Sequence, residues 1–139
     1  MALALVFSLA LLGARPALGA QFVTWGDVEV HYIVVNTLGL LPEIAAHYGI
    51  VRGGDRAIVN VSVIGADGNA RDADVSGTAT NLLDQTTALE FRRIEDGGAI
   101  YFIALLVHTD RDVLRFRIHV DDRRGASGVI EFQQEMWTE

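Results

Sequence analysis

Val113-Leu-Arg-Phe-Arg-Ile-His-Val120 and Val129-Ile-Glu-Phe-Gln-Gln-Glu-Met-Trp137 are two runs of alternating apolar and polar residues, separated by the turn-forming Arg124-Gly-Ala-Ser-Gly128. Alternation at period two sends successive side chains to opposite faces of a strand. Two such runs around a glycine-rich break read as a β-hairpin. Folding them so that partner numbers sum to 250 sets Val120 against Ile130, Ile118 against Phe132, Phe116 against Gln134 and Leu114 against Met136 on the inner face. The same register sets His119 against Glu131, Arg117 against Gln133 and Arg115 against Glu135 on the outer face. Facing base–acid pairs each contribute roughly 0.2–1 kcal/mol, and a one-residue slip would exchange the two faces. The hairpin therefore specifies a sheet with one buried and one wet side.

The same period recurs upstream. In Asp27–Val35, Val28, Val30, Tyr32 and Val34 share a face, with Glu29 and His31 opposite. In Ala57–Val63, Val59, Val61 and Val63 oppose Asn60 and Ser62. Val75–Leu82 is a weaker strand rich in Ser, Thr and Gly, and Leu89–Arg92 alternates briefly. Ala99–Val107 is apolar throughout, as in a central strand covered on both faces. Turn chemistry at Gly65–Asn69 and Asp96–Gly98 separates these pieces. The pattern predicts an all-β fold, an antiparallel immunoglobulin-like β-sandwich of about seven strands with one short helix. The helix is expected within Leu40–Gly49, where Pro42 stands near its start, Glu43 in its first turn and Gly49 at its stop, with Ile44 and Tyr48 packing at i, i+4.

Met1–Leu12 is an apolar run, interrupted only by Ser8, and is followed by Gly13, Ala14, Arg15 and Pro16. It is shorter than the roughly 20 residues a membrane span needs, and it has the length of a signal-peptide core. Residues 1–20 are expected to be a signal peptide, cleaved after Gly19 or Ala20, and residues 21–139 a single sandwich domain. No Lys or Arg precedes the run, so the true start is expected upstream of Met1 or the signal is atypical. The expected location is periplasmic or secreted, with no membrane span in the mature protein. There is no cysteine, so stability must come from packing, and thiol chemistry is excluded. Eighteen acids face ten Arg after the leader, a net charge of −8. That charge repels phosphate backbones and anionic lipid, so nucleic acid is not an expected partner.

Motifs for chemistry are weak. Asp72-Ala-Asp74-Val-Ser76-Gly77 opens like a calcium loop, but Leu83 stands where the bidentate Glu should be; a polar strand edge explains it better. His31, His47, His108 and His119 share no ligand spacing. Ser62, Ser76 and Ser127 lack a nucleophile elbow. The pairs Asp110/Asp112 and Asp121/Asp122 fall in turns, where acids are usually solvated. Asn60-Val-Ser62 is a glycosylation sequon in mid-strand. Trp25 and Trp137 read as closing the ends of the core. No catalytic residue, metal ligand or cofactor is expected.

Gln21–Tyr32, Gly77–Leu82, Ala99–Ala104 and Phe132–Glu139 carry a resemblance that spans nearly the whole chain after the leader. In these stretches the sequence resembles a group of proteobacterial envelope proteins, the domain of unknown function numbered forty-four twenty-six. The resemblance implies export and one compact domain; it implies no activity.

The leading expectation is an exported, non-catalytic binding or accessory module whose partner is another envelope protein. Its contact segment is expected in the long Asn36–Arg56 excursion, at Leu38, Leu40, Leu41 and Tyr48, with Leu38 and Leu40 exposed. One alternative is a small-ligand binder or hydrolase with a pocket at one end of the sandwich. Another is strand addition at an unpaired edge, expected at Trp25–Val35.

Overall fold

The alternation becomes a pair of antiparallel sheets in the computed structural model, which describes residues 21–138. The expected signal peptide and both cleavage points lie outside the described residues. The first sheet runs β1(Gln21–Trp25), β2(Val28–Asn36), β3(Arg56–Ile64), β8(Ala99–Val107), β7(Arg92–Asp96), with the two-residue β4(Ala70–Arg71) paired to the end of β3. The second runs β10(Ser127–Met136), β9(Asp112–Asp121), β5(Asp74–Thr80), β6(Thr86–Leu89). In sandwich nomenclature β2-β3-β8-β7 is the A-B-E-D sheet and β10-β9-β5-β6 is G-F-C-C′. The fold is thus the immunoglobulin-like sandwich that the patterning predicts, built from ten described strands rather than about seven. The expected strand at Leu89–Arg92 is instead a switch point: β6 ends at Leu89 in the second sheet, and β7 begins at Arg92 in the first.

Between the sheets lies one apolar core. Val28, Val30 and Val34 of β2, and Val59, Val61 and Val63 of β3, face Leu114, Phe116, Ile118 and Val120 of β9. The weak strand β5 is weak for a packing reason. Its inward residues Gly77 and Ala79 pair with Ile118 and Phe116, small against large. A Cβ at Gly77 would come within 2.7 Å of the Arg117 carbonyl oxygen.

The β9–β10 hairpin keeps its expected faces but not its expected register. Observed partners sum to 248: Ile118 faces Ile130, Phe116 faces Phe132, and Arg117 faces Glu131. Arg117 Nη1 reaches Glu131 Oε1 at 2.7 Å, so His119 does not have the Glu131 partner expected of it. Arg115 faces Gln133, not Glu135, and takes Asp84 as its carboxylate instead. The two-residue shift follows from the turn. Asp122 N donates to Ala126 O, and Asp122 Oδ1 accepts from Arg124 N and Ala126 N, which closes the chain two residues earlier. Side-chain period two makes this shift invisible to the faces.

The Asn36–Arg56 excursion folds back over the outer face of the first sheet. A 3-10 turn at Thr37–Gly39 precedes the short helix α1(Pro42–His47), with Pro42 at its first turn and Gly49 (φ 67) just past it. Leu40, Ala45 and Ile50 pack onto Ile58 of β3 and Ile103 of β8, with Ile44 and Tyr48 partly buried beside them. This second core is the cover that the all-apolar run of β8 implies. It corrects the expectation of an exposed Leu40, whose side chain is core.

Thr37 fastens the excursion. It is fully buried, its hydroxyl lies 2.9 Å from Gly53 O and 3.1 Å from Arg56 O, and it accepts from Gly53 N at 2.9 Å. Thr37→Val keeps the shape but strands these backbone groups. Denaturant unfolding should show a loss of about 2 kcal/mol, the usual cost of a buried unpaired group.

Candidate interaction surface

The antiparallel layout sorts the connections into two ends of unlike chemistry. At one end lie residues 37–41 and 51–55, the two limbs of the excursion, with 81–85, 108–111 and the C-terminal 137–138, while α1 between the limbs lies on the outer face of the first sheet. At the other lie Gly26-Asp27, Gly65–Asn69, Asp72-Ala73, Gly97-Gly98 and Asp122–Ala126, which contain no Leu, Ile, Val, Phe or Trp. Seven of the ten exposed large apolar side chains among the described residues lie at the first end: Leu38, Leu41 and Val51 in the excursion, Leu82 and Leu83 in the β5–β6 loop, Val107 where β8 ends, and Trp137; Phe22, Leu105 and Val129 stand on strand faces instead. Exposed leucines are ordinary singly, but their concentration on one end of a sandwich is a feature to be explained.

Leu82 and Leu83 are held out by a tied loop. Asn81 Oδ1 accepts from Leu83 N and Gln85 N, both at 2.9 Å, and Asn81 Nδ2 donates to Gln85 Oε1 at 2.7 Å. Asp84, at φ 62, receives Arg115 Nη2 at 2.9 Å. The loop therefore pre-sets two leucines that are 70% and 79% exposed. Sequence reasoning placed Leu82 at the end of the expected strand Val75–Leu82, which stops at Thr80, and met Leu83 only as a missing calcium ligand; the signal was the Asn81–Gln85 spacing of an Asx-type loop around two leucines. Of the residues expected to make contact, Leu38 and Leu41 are exposed, Leu40 is core, and Tyr48 is half-buried with its hydroxyl donating to Asp96 Oδ2 at 3.2 Å.

Trp137 is also a correction. It is exposed, with the Arg111 guanidinium 5.1 Å from its ring centroid, so it does not close the core. Trp25 does: its ring lies over Gly128 so closely that a Cβ there would sit 2.5 Å from it.

Two shallow clefts lie on the flanks rather than at an end. One, of about 450 Å³, runs between α1 and β7 and is lined by Glu43, Ile44, His47, Tyr48, Glu95 and Asp96. Beside it, burial, and then the neighbouring Tyr48, push the Tyr101 phenol above its ordinary pKa. The other, of about 380 Å³, lies on the outer face of the second sheet and includes Asp74, Ser76, His119, Asp121 and Ser127. Among the described residues no three His, Asp or Glu side chains come together to hold a metal ion. Asp72 and Asp74 of the calcium-like motif are taken by guanidinium groups, Asp72 by Arg93 at 3.0 Å and Asp74 by Arg123 at 3.7 Å. His31 pairs with Glu29 at 2.9 Å, and His108 is buried with Nδ1 2.9 Å from Thr109 O. Asn60 of the sequon is buried in β3.

Asp122 departs most from expectation for a turn acid. It is buried, receives two backbone N–H groups, and pairs with Arg71 Nη1 at 3.0 Å. Burial alone would raise its pKa; the Arg124 and Ala126 amides and the Arg71 guanidinium outweigh it and hold the carboxyl below its ordinary value.

Among the described residues no helix is long and apolar enough to cross a membrane. A family model described as a domain of unknown function, DUF4426, matches residues 22–139. A crystal structure of a DUF4426 family protein from Pseudomonas aeruginosa is 33% identical, covering 87% of this chain and 97% of that one, with a TM-score of 0.77. Two structures of FetP from uropathogenic Escherichia coli share the fold. A copper-bound variant is 10% identical with a TM-score of 0.56, and a form expressed in the periplasm is 12% identical with a TM-score of 0.54. Each covers 84% of this chain and 93% of its own. A search of curated proteins gives no match to the sequence.

Proposed function

This chain belongs to the DUF4426 family, and we propose that it is an exported, non-catalytic module that binds another protein of the bacterial envelope through the apolar end of its sandwich. One observation carries the reading: Leu38, Leu41, Val51, Leu82, Leu83 and Trp137 stand in water at one end, while the turns at the opposite end carry no large apolar side chain. Holding leucines on a hydrogen-bonded loop lowers the ordering cost of association, which is how binding loops gain affinity. Trp and Arg side chains carry a disproportionate share of interface energy, and Trp137 with the Arg111 guanidinium 5.1 Å from its ring is an anchor of that kind within the leucine-rich end. Two facts support the non-catalytic part of the reading. The flank clefts are shallow, and their carboxylates are in part already paired. Fold-level likeness to a copper-bound FetP variant at 10% identity transfers no metal to these residues. Export and a periplasmic or secreted location rest on the apolar leader.

A photoreactive residue at Leu38, with a second variant carrying it at Gly68 on the opposite end, tests the surface in living cells. The Leu38 variant should yield one discrete adduct that the Gly68 variant does not. Adducts from neither, or equally from both, would remove the reason for choosing this end.

A further inference from the structure

β6 and β7 are two halves of one run that changes sheets. Thr86–Leu89 pairs with β5, and Arg92–Asp96 pairs with β8, the last rung being Arg92 against Ile103. Among the described residues β8 continues four residues further, to Val107, bonded only to β3 on its other side. Ala104–Val107 therefore has a free edge where an earlier start of β7 would lie. His108 N donates to Asp55 O across the same two strands, so by the alternation of an antiparallel ladder Leu106 and Ala104 also turn their backbone groups toward β3. The groups on the open side are then those of Leu105 and Val107, which are 47% and 65% exposed. Across the same corner, Thr86, Thr87 and Ala88 of β6 are all exposed, although Thr87 lies on the core-facing side with its partner Ala79.

Two other half-open edges are guarded. Beyond Tyr32, β2 outruns β1, but Gln134 Nε2 donates to Val34 O at 3.4 Å and Asn36 Nδ2 to Trp137 O at 3.2 Å. Beyond Gly77, β5 outruns β6, but Asp74 there pairs with Arg123 at 3.7 Å. Exposed edges ordinarily carry charge, proline or a covering side chain; Ala104–Val107 carries none of these.

We propose that this edge accepts an extended segment of the partner polypeptide as an added strand, in line with β7. Resting on the binding reading above, it names the form in which the partner binds. Only extended polypeptide presents a matching row of N–H and C=O groups to Leu105 and Val107. The exposed Leu105 and Val107 side chains call for apolar, β-branched residues on the outward side of that segment, with a small or hydroxyl residue inward toward Thr87. A second copy is disfavoured because both would carry a net charge of −8; a neutral or basic segment fits.

The probe is the acetylated, amidated peptide Lys-Val-Thr-Val-Thr-Lys, followed by amide NMR and hydrogen exchange on the full chain after the leader. In the free protein the Leu105 and Val107 amides should exchange at least about 100-fold faster than those of Ala104 and Leu106. Saturating peptide should slow those two about tenfold and shift Thr86–Ala88, an effect that Val107→Pro and Leu105→Lys both abolish while leaving the rest of the spectrum in place. Slow exchange at Leu105 and Val107 in the free monomer would overturn the open edge. So would peptide effects that fall elsewhere or are absent at millimolar peptide. Protection that rises with protein concentration alone would give the edge to a second copy and overturn the assignment to a partner. The Leu38 adduct is independent of this edge, so its persistence alongside any of these failures would leave the binding reading standing and remove only the added strand.

Discussion

Asp122→Ala is expected to lower the unfolding free energy by about 3 kcal/mol, because it breaks a buried ion pair and unties a hairpin in one step. The carboxylate joins three parts of the chain: the β9–β10 turn through the amides of Arg124 and Ala126, the short strand β4 through Arg71, and the second sheet in which it begins the turn. Removing it leaves the Arg71 guanidinium, itself mostly buried, without the carboxylate it faces. Asp122→Asn separates the contributions. An amide oxygen can still accept from the two turn amides, so only the charge toward Arg71 is lost, and about half the destabilisation should remain. Urea unfolding followed by far-ultraviolet circular dichroism measures both; a loss below about 1 kcal/mol in the alanine variant would mean that the turn holds without its side chain.

The sign of the pH dependence follows from the same group. Its folded-state pKa is lowered, so the ionised carboxylate is favoured by the fold. That contribution is fully present above the unfolded aspartate value near 3.9 and is lost as pH falls through the folded value. Asp72 shifts in the same direction: the cost of burial is outweighed by the Arg93 guanidinium and the Ala73 amide. The stability gap between the natural protein and Asp122→Asn should therefore be constant above about pH 5 and narrow progressively as the pH falls below the unfolded aspartate value.

How much of this was legible depends on what each residue contributes. Faces were readable wherever period two ran for seven residues or more, as in β2, β3 and β9. The hairpin register was not, because shifts of two residues leave every face unchanged and only the turn distinguishes them. The turn is decided by a buried Asp122, and a sequence that places two aspartates before Arg-Arg-Gly looks solvated. The short strand β1 escaped notice because it is five residues long, although Gln21-Phe-Val-Thr-Trp25 alternates and Gly26, at φ 61, supplies the turn. The excursion was readable as a helix from Pro42, Glu43 and Gly49. Its seat on the sheet was not, since Asn60 and Ser62 made the outer face of β3 look wet. The surface chosen from sequence included Leu38 and Leu41, which are exposed, and Leu40, which is core. Leu82 and Leu83 were hidden because a loop of five residues has no periodicity to read. An unpaired edge strand was expected at Trp25–Val35; β2 is instead an interior strand between β1 and β3, and no sequence signal marks where a neighbouring strand starts late, as β7 does beside β8.

Phe116→Ala is expected to cost the most, about 4 kcal/mol, within the 3–5 kcal/mol usual for deleting a buried aromatic ring. The reason is its position between sheets rather than its size alone. Phe116 is stacked on Phe132 at 4.8 Å between centroids, and Phe132 in turn meets Tyr32 of β2 at 4.8 Å, so three rings from β9, β10 and β2 bridge the sandwich. Across the strand pair the ring lies beside Ala79, whose side chain is too short to fill the space left behind. Because β5 is built small to accommodate Phe116, with Ala79 opposite it and Gly77 held against the Arg117 backbone, that strand has no side chain long enough to fill the cavity. Phe116→Leu retains most of the volume and should cost no more than about 1.5 kcal/mol. Thermal unfolding should place the alanine variant about 15 °C below the natural protein, given roughly 4 °C per kcal/mol for a chain of this length, with the leucine variant within about 6 °C. Equal shifts for the two would show that ring stacking, not filled volume, carries the contribution of Phe116.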